Sequence, residues 1–176
     1  SGRNGCVRWE VTGDAFALGR TVFSQSEISG DIFFVGEEVR VEGKVGDDVR
    51  VLGGTVTIDG TISDDVVAVG SKVVVKPTAL IEGSLYIIAE DAEIYGKVSG
   101  DAKVLASRFL LSGAVEGGLE LWGEAEFKEP ARIGGLTGRT CPPACAAWRG
   151  IIVDSLGIRP PGLLAVICRA QARAVS

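Results

Sequence analysis

Apolar and polar residues alternate in short phrases along most of the chain, and the phrases recur. The clearest copies are Ile28-Ser-Gly-Asp-Ile-Phe-Phe-Val-Gly36, Val45-Gly-Asp-Asp-Val-Arg-Val-Leu-Gly53 and Ile62-Ser-Asp-Asp-Val-Val-Ala-Val-Gly70. Each is followed by a Val-x-aliphatic phrase, such as Val39-Arg-Val41 or Val56-Thr-Ile58. Copies begin at Val11, Ile28, Val45, Ile62, Ile81, Val98 and Val115, a step of seventeen everywhere except after Ile62, where Lys76-Pro77-Thr78 lengthens a turn. Positions one, five, seven, twelve and fourteen of the copy are nearly always apolar. Spacing of two within a phrase is strand periodicity, and a fixed period of this size repeated many times marks a solenoid.

Three corners divide each copy. Gly or Ala fills position nine (Gly19, Gly36, Gly53, Gly70, Ala89, Ala106, Gly123), Gly43, Gly60, Gly96 and Gly113 mark a second corner, and a Gly-Asp step marks the third. Three corners imply three short strands per coil. The expectation is an all-β, three-sided parallel β-helix of about seven 17-residue coils, roughly 34 Å long at about 4.8 Å per layer. Residues 1–10 would cap it, with Trp9 over the top of the core, 11–136 would form the helix, and 137–176 a non-repetitive tail. Position six, read as Phe16, Phe33, Arg50, Val67, Tyr86, Lys103 and Glu120, varies in character and so faces outward.

Composition narrows the chemistry. The chain has 176 residues, 46% of them hydrophobic, with 25 glycines and no histidine. Lack of histidine removes the commonest general base and metal ligand, and with them the hexapeptide-repeat acyltransferases and carbonic anhydrases. The net charge of −5 is divided: residues 1–131 hold twelve basic and twenty-two acidic side chains, and residues 132–176 hold six arginines and one acid, Asp154. An acidic body argues against nucleic acid as a partner and for a basic tail that docks on its own body or a neighbour's.

The four cysteines, Cys6, Cys141, Cys145 and Cys168, lie outside the repeats. An even count at the two ends suggests disulfides and an oxidising compartment; three pairings are open. Zinc is the rival, but Cys141-Pro-Pro-Ala-Cys145 has three intervening residues and no histidine partner. The start at Ser1 suits a form matured by signal cleavage, or a shortened chain. The longest apolar run, Gly162–Cys168, falls short of the roughly 20 residues that span a bilayer. Asp14, Asp31, Asp47, Asp48, Asp64, Asp65 and Asp101 gather at one corner. They read either as a calcium ladder or, more simply, as turn residues that bond nearby amides.

Phrases such as Gly30-Asp-Ile-Phe-Phe-Val-Gly36, Gly54-Thr-Val-Thr-Ile-Asp-Gly60 and Val98-Ser-Gly-Asp-Ala-Lys-Val-Leu-Ala106 resemble the bactofilins, over about residues 11–136. That resemblance implies a right-handed, three-sided β-helix that polymerises end to end without nucleotide. The cysteines and basic tail depart from the cytoskeletal members, which directs expectation to an extracellular or cell-surface relative, with a cytoplasmic cytoskeletal protein as the alternative.

The functional expectation is a self-assembling structural filament subunit, not an enzyme, with itself as partner. No metal, cofactor, small-molecule substrate, nucleic acid or transmembrane segment is implied. Candidate polymer contacts are Trp9, Ala15, Phe16 and Ala17 at one end and Leu119, Leu121, Trp122 and Phe127 at the other. Cysteine pairing, or a tail strand such as 150–153 or 163–168 added to a neighbour, would lock the joint. The rival readings are a monomeric β-helical binding rod and a carbohydrate-active β-helix enzyme. An ice-binding threonine array is not present, since Thr55, Thr57 and Thr61 fall in one copy.

Overall fold

The computed structural model describes the backbone of residues 4–7, 11–140 and 152–153, and the side chains of residues 11–136. These residues form a parallel β-solenoid with no helix. In chain order the strands are β1 (Asn4–Val7), β2 (Ala15–Ser24), β3 (Ile32–Val45), β4 (Val49–Ile62), β5 (Val66–Val75), β6 (Leu80–Ile81), β7 (Leu85–Ile94), β8 (Lys97–Val98), β9 (Ala102–Leu111), β10 (Ala114–Phe127), β11 (Arg132–Thr140) and β12 (Ile152–Val153).

Register follows the sequence period. On a first face, A, Ala15, Ile32, Val49, Val66, Leu85, Ala102, Leu119 and Leu136 stack one above another. On face B the stack runs Gly5, Val22, Val39, Val56, Val73, Ala92, Phe109 and Ala125. The narrow face C runs from Val11 through Ile28, Val45, Ile62, Ile81, Val98 and Val115 to Ile133 and Val153. Strands pass through the glycine corners without losing the ladder, which is why face A and face B belong to single strands such as β2 and β7. The insertion after Val75 is absorbed in a turn in which Ala79 N–H donates to the Lys76 carbonyl at 3.0 Å.

The core is the column enclosed by the three faces. Inward residues at positions one, five, seven, twelve and fourteen are almost all fully buried from Ile28 to Leu121. Each such Val, Ile or Leu is worth about 1.5–3 kcal/mol. Volume is balanced between neighbouring layers: Phe34 stacks on the small Ala17, while Phe109 stacks between the small Ala92 and Ala125 and meets Phe127 edge to face at 6.2 Å. The first layer is the weakest, with Ala15, Ala17 and Ser24 at inward positions. Ser24 is fully buried, and its hydroxyl has no hydrogen-bond partner among the described residues.

Candidate functional site

Because face A and face B alternate inward and outward side chains, each presents two outward columns, and their chemistry differs. Face B is charged. Arg20 pairs with Glu37 at 2.8 Å, Arg40 with Glu38 at 2.6 Å, Lys72 with Glu93 at 2.7 Å, and Arg108 with Asp91. Arg108 holds Asp91 below the usual carboxylate range, and Lys72 does the same to Glu93. Tyr95 Oη also donates to Glu93 at 3.0 Å. Lys72, Glu93 and Tyr95 line a shallow groove with Val74, Lys76 and Pro77, beside the lengthened turn.

Face A is apolar. Its position-eight column reads Leu18, Val35, Leu52, Val69, Ile88, Leu105 and Trp122 without a polar residue. Phe16, Phe33, Val67 and Tyr86 add to it from position six. All nine exposed large hydrophobic side chains among the described residues lie in these two columns, led by Leu18 at 82% and Phe16 at 76%. Phe16 and Phe33 rings lie 6.0 Å apart, and Lys103 Nζ sits 5.9 Å from the centre of the Tyr86 ring. The outward character of position six was legible from its variability. Position eight was overlooked, although its signal is plain once the seven copies are aligned: an outward column that never turns polar.

The aspartate corner separates into two kinds of residue. Those at position four staple one coil to the next, because each accepts a backbone N–H from the equivalent residue seventeen or nineteen places on. Asp31 N donates to Asp14 Oδ1 at 3.1 Å, Asp48 N to Asp31 at 3.2 Å, Asp65 N to Asp48 at 3.2 Å, Ser84 N to Asp65 at 2.7 Å and Gly118 N to Asp101 at 2.8 Å. Arg50 bridges Asp31 at 3.0 Å and Asp48 at 2.5 Å. Asp47 and Asp64 instead stand at position three, where the other copies have glycine. Partial desolvation, then the charges of Asp65, Asp48 and Asp47, pushes the Asp64 carboxyl up. Carboxylate oxygens of Asp31, Asp47 and Asp48, and of Asp48, Asp64 and Asp65, lie within 4.8 Å of one another. Their main partners are backbone amides and Arg50, so the turn reading accounts for the position-four acids.

No family model, curated protein or solved structure matches the chain.

The ends of the rod hold the remaining candidates. Ala15 N donates down to Asp31 O at 2.7 Å, so in a parallel ladder the backbone groups of Phe16 and Leu18 point the other way, out of the top of the rod. β1 covers β2 only over Thr21–Ser24, which leaves Ala15–Gly19 an open edge among the described residues. At the bottom, among the described residues, β12 covers β11 only at Arg132 and Ile133, so Leu136–Thr140 is a second open edge on the same face. Leu119, Leu121 and Phe127 are buried core, the two leucines closed over by β11, and only Trp122 of that group is outward. The terminal strand is therefore the eighth layer rather than the seventh. Trp9 lies outside the described residues, as do Cys141, Cys145, Cys168 and segment 163–168; Cys6 has only its backbone described, in β1, and of 150–153 only the β12 backbone is described. Among the described residues no helix is long and apolar enough to cross a membrane.

Proposed function

We propose that the chain is the subunit of a structural filament, growing without nucleotide by end-to-end stacking of solenoids, as its resemblance to the bactofilins implies. One observation carries this reading: among the described residues, face A ends at both poles of the rod in an unpaired strand edge, Ala15–Gly19 above and Leu136–Thr140 below. Open edges recruit further strands unless they are covered, and a heterologous joint between the two poles does not close on itself. Cys6 lies in β1 beside the upper edge, and Cys141 follows Thr140 in sequence, so an interchain disulfide would lock the joint in an oxidising, extracellular or cell-surface setting.

An enzymatic reading has less support. Glycoside hydrolysis needs one carboxyl held protonated near another that is ionised. On face B, Glu93 in the groove and Asp91 near it are each tied to a cation that favours the charged form, and Asp64, the carboxyl that is raised, stands exposed on a convex corner.

Leu18→Pro tests the polymer. It removes an N–H that points out of the open edge and leaves the ladder to β3 intact. Negative-stain microscopy is expected to show nucleotide-independent filaments for the natural chain and single rods for the variant, both with unchanged β circular dichroism. Monodisperse rods of the natural chain at every concentration would overturn the proposal.

A further inference from the structure

The nine apolar side chains that stand out from face A are between 37% and 82% exposed. Together they present on the order of 800 Å², above the roughly 300–600 Å² of the largest apolar patch on an ordinary monomer and about one partner's share of a standard interface. Face B, built from the same strands, carries ion pairs instead. The apolar columns are therefore a property of one face and not of the coil.

We infer that face A docks on face A of a second copy, with the two rods side by side and antiparallel. Two flat sheets related by a two-fold axis along the strands bring like columns together and invert the order of layers. With the axis through the fourth layer, all seven layers from Leu18 to Trp122 overlap. Val69 then faces its own counterpart, Leu52 faces Ile88, Val35 faces Leu105, and Leu18 faces Trp122. In the position-six column Arg50 comes over Tyr86 and Lys103 over Phe33, so both cations meet aromatic rings. Glu120 keeps its own Lys103, at 3.7 Å. Moving the axis half a layer one way sets Arg50 against Lys103, and the other way leaves Trp122 outside the overlap. Parallel rods would press Arg50 and Lys103 onto Leu52 and Leu105, desolvating both cations against aliphatic side chains where the antiparallel register gives them aromatic rings. The antiparallel arrangement is self-complementary, as an isologous interface requires. It also sets the aspartate columns of the two rods along one rim, so association tightens as salt screens them.

Sedimentation velocity on the full chain, with rod widths from negative-stain images, tests this. The natural chain is expected to pair side by side, more tightly at higher salt. Leu52→Glu and Ile88→Lys, both at outward positions that leave the core untouched, are each expected to weaken pairing about ten-fold or more. The double variant is expected to recover most of the loss, because the antiparallel register places opposite charges across from each other twice. Single-width rods of the natural chain at all concentrations would overturn the inference. So would single variants that pair as before, a double variant no better than either single one, or a face that binds phosphatidylcholine vesicles in place of a second rod. Filament growth lengthens rods and side-by-side pairing widens them, so a failure of one is distinguishable from a failure of the other.

Discussion

At the scale of single residues, the acidic corner shows how one residue type does opposite things at adjacent positions. Asp31, Asp48 and Asp65 each accept the amide of the next coil, so their charge is used. Asp64 takes a glycine position one residue earlier and is crowded by three carboxylates. Its folded pKa is raised above the unfolded value, so folding disfavours its ionised form and costs stability at neutral pH. Asp64→Asn is therefore expected to be more stable than the natural chain at neutral pH. That advantage should shrink as pH falls through the folded pKa of Asp64 and vanish once the carboxyl is protonated in both states. Paired denaturant melts across the acid range measure it; an advantage independent of pH would refute the crowding account. The division between staple and surplus acid was not legible beforehand, because both kinds sit in one Asp-rich turn. Only the hydrogen bonds to the next coil, seventeen or nineteen residues on, separate them.

At the scale of the coil, most of the fold could be read from the chain. The five inward positions, the seventeen-residue step and the lengthened turn after Val75 all stand where alternation and glycine spacing place them. The lower pole was harder to read. Ile133-Gly-Gly-Leu136 looks like the start of an unfinished coil, yet its backbone pairs with β10 as far as Thr140 and turns Leu119 and Leu121 from end surface into core. A strand rich in glycine carries little apolar pattern, and pairing with the layer above compensates for its low propensity. The glycine corners also differ in kind. Gly43 has φ +94°, and a Cβ there would meet the Ser26 carbonyl oxygen at 2.6 Å. Gly53 belongs to the position-nine column, which accepts alanine at Ala89 and Ala106. Gly43→Ala is expected to cost about 1–3 kcal/mol and Gly53→Ala distinctly less, read as shifts in denaturant midpoint. Equal costs at the two sites would show that crowding against the coil above, and not backbone conformation, sets the demand for glycine.

At the scale of the whole molecule, each layer touches only its neighbours, so stability is set locally and the ends open first. Among the described residues the first layer has the least to hold it, with Ala15, Ala17 and the buried Ser24 inward and an open edge above. In the single rod, amides of Ala15–Gly19 and Leu136–Thr140 are expected to exchange hydrogen fastest within face A, and those of the central strands β4, β5 and β7 slowest. The two modes of association predict different changes. End-to-end stacking adds backbone hydrogen bonds at the two poles, so it should slow exchange at Ala15–Gly19 and Leu136–Thr140 above all. Side-by-side pairing covers side chains of face A whose backbone bonds already exist, and should leave the poles unchanged. Hydrogen exchange by mass spectrometry, comparing natural assemblies with Leu18→Pro rods and with Leu52→Glu rods, separates them. Protection gained at the poles and lost only in Leu18→Pro supports stacking through the open edges. Protection gained evenly along face A, with the poles still exchanging fast, would mean that these rods associate only through their sides.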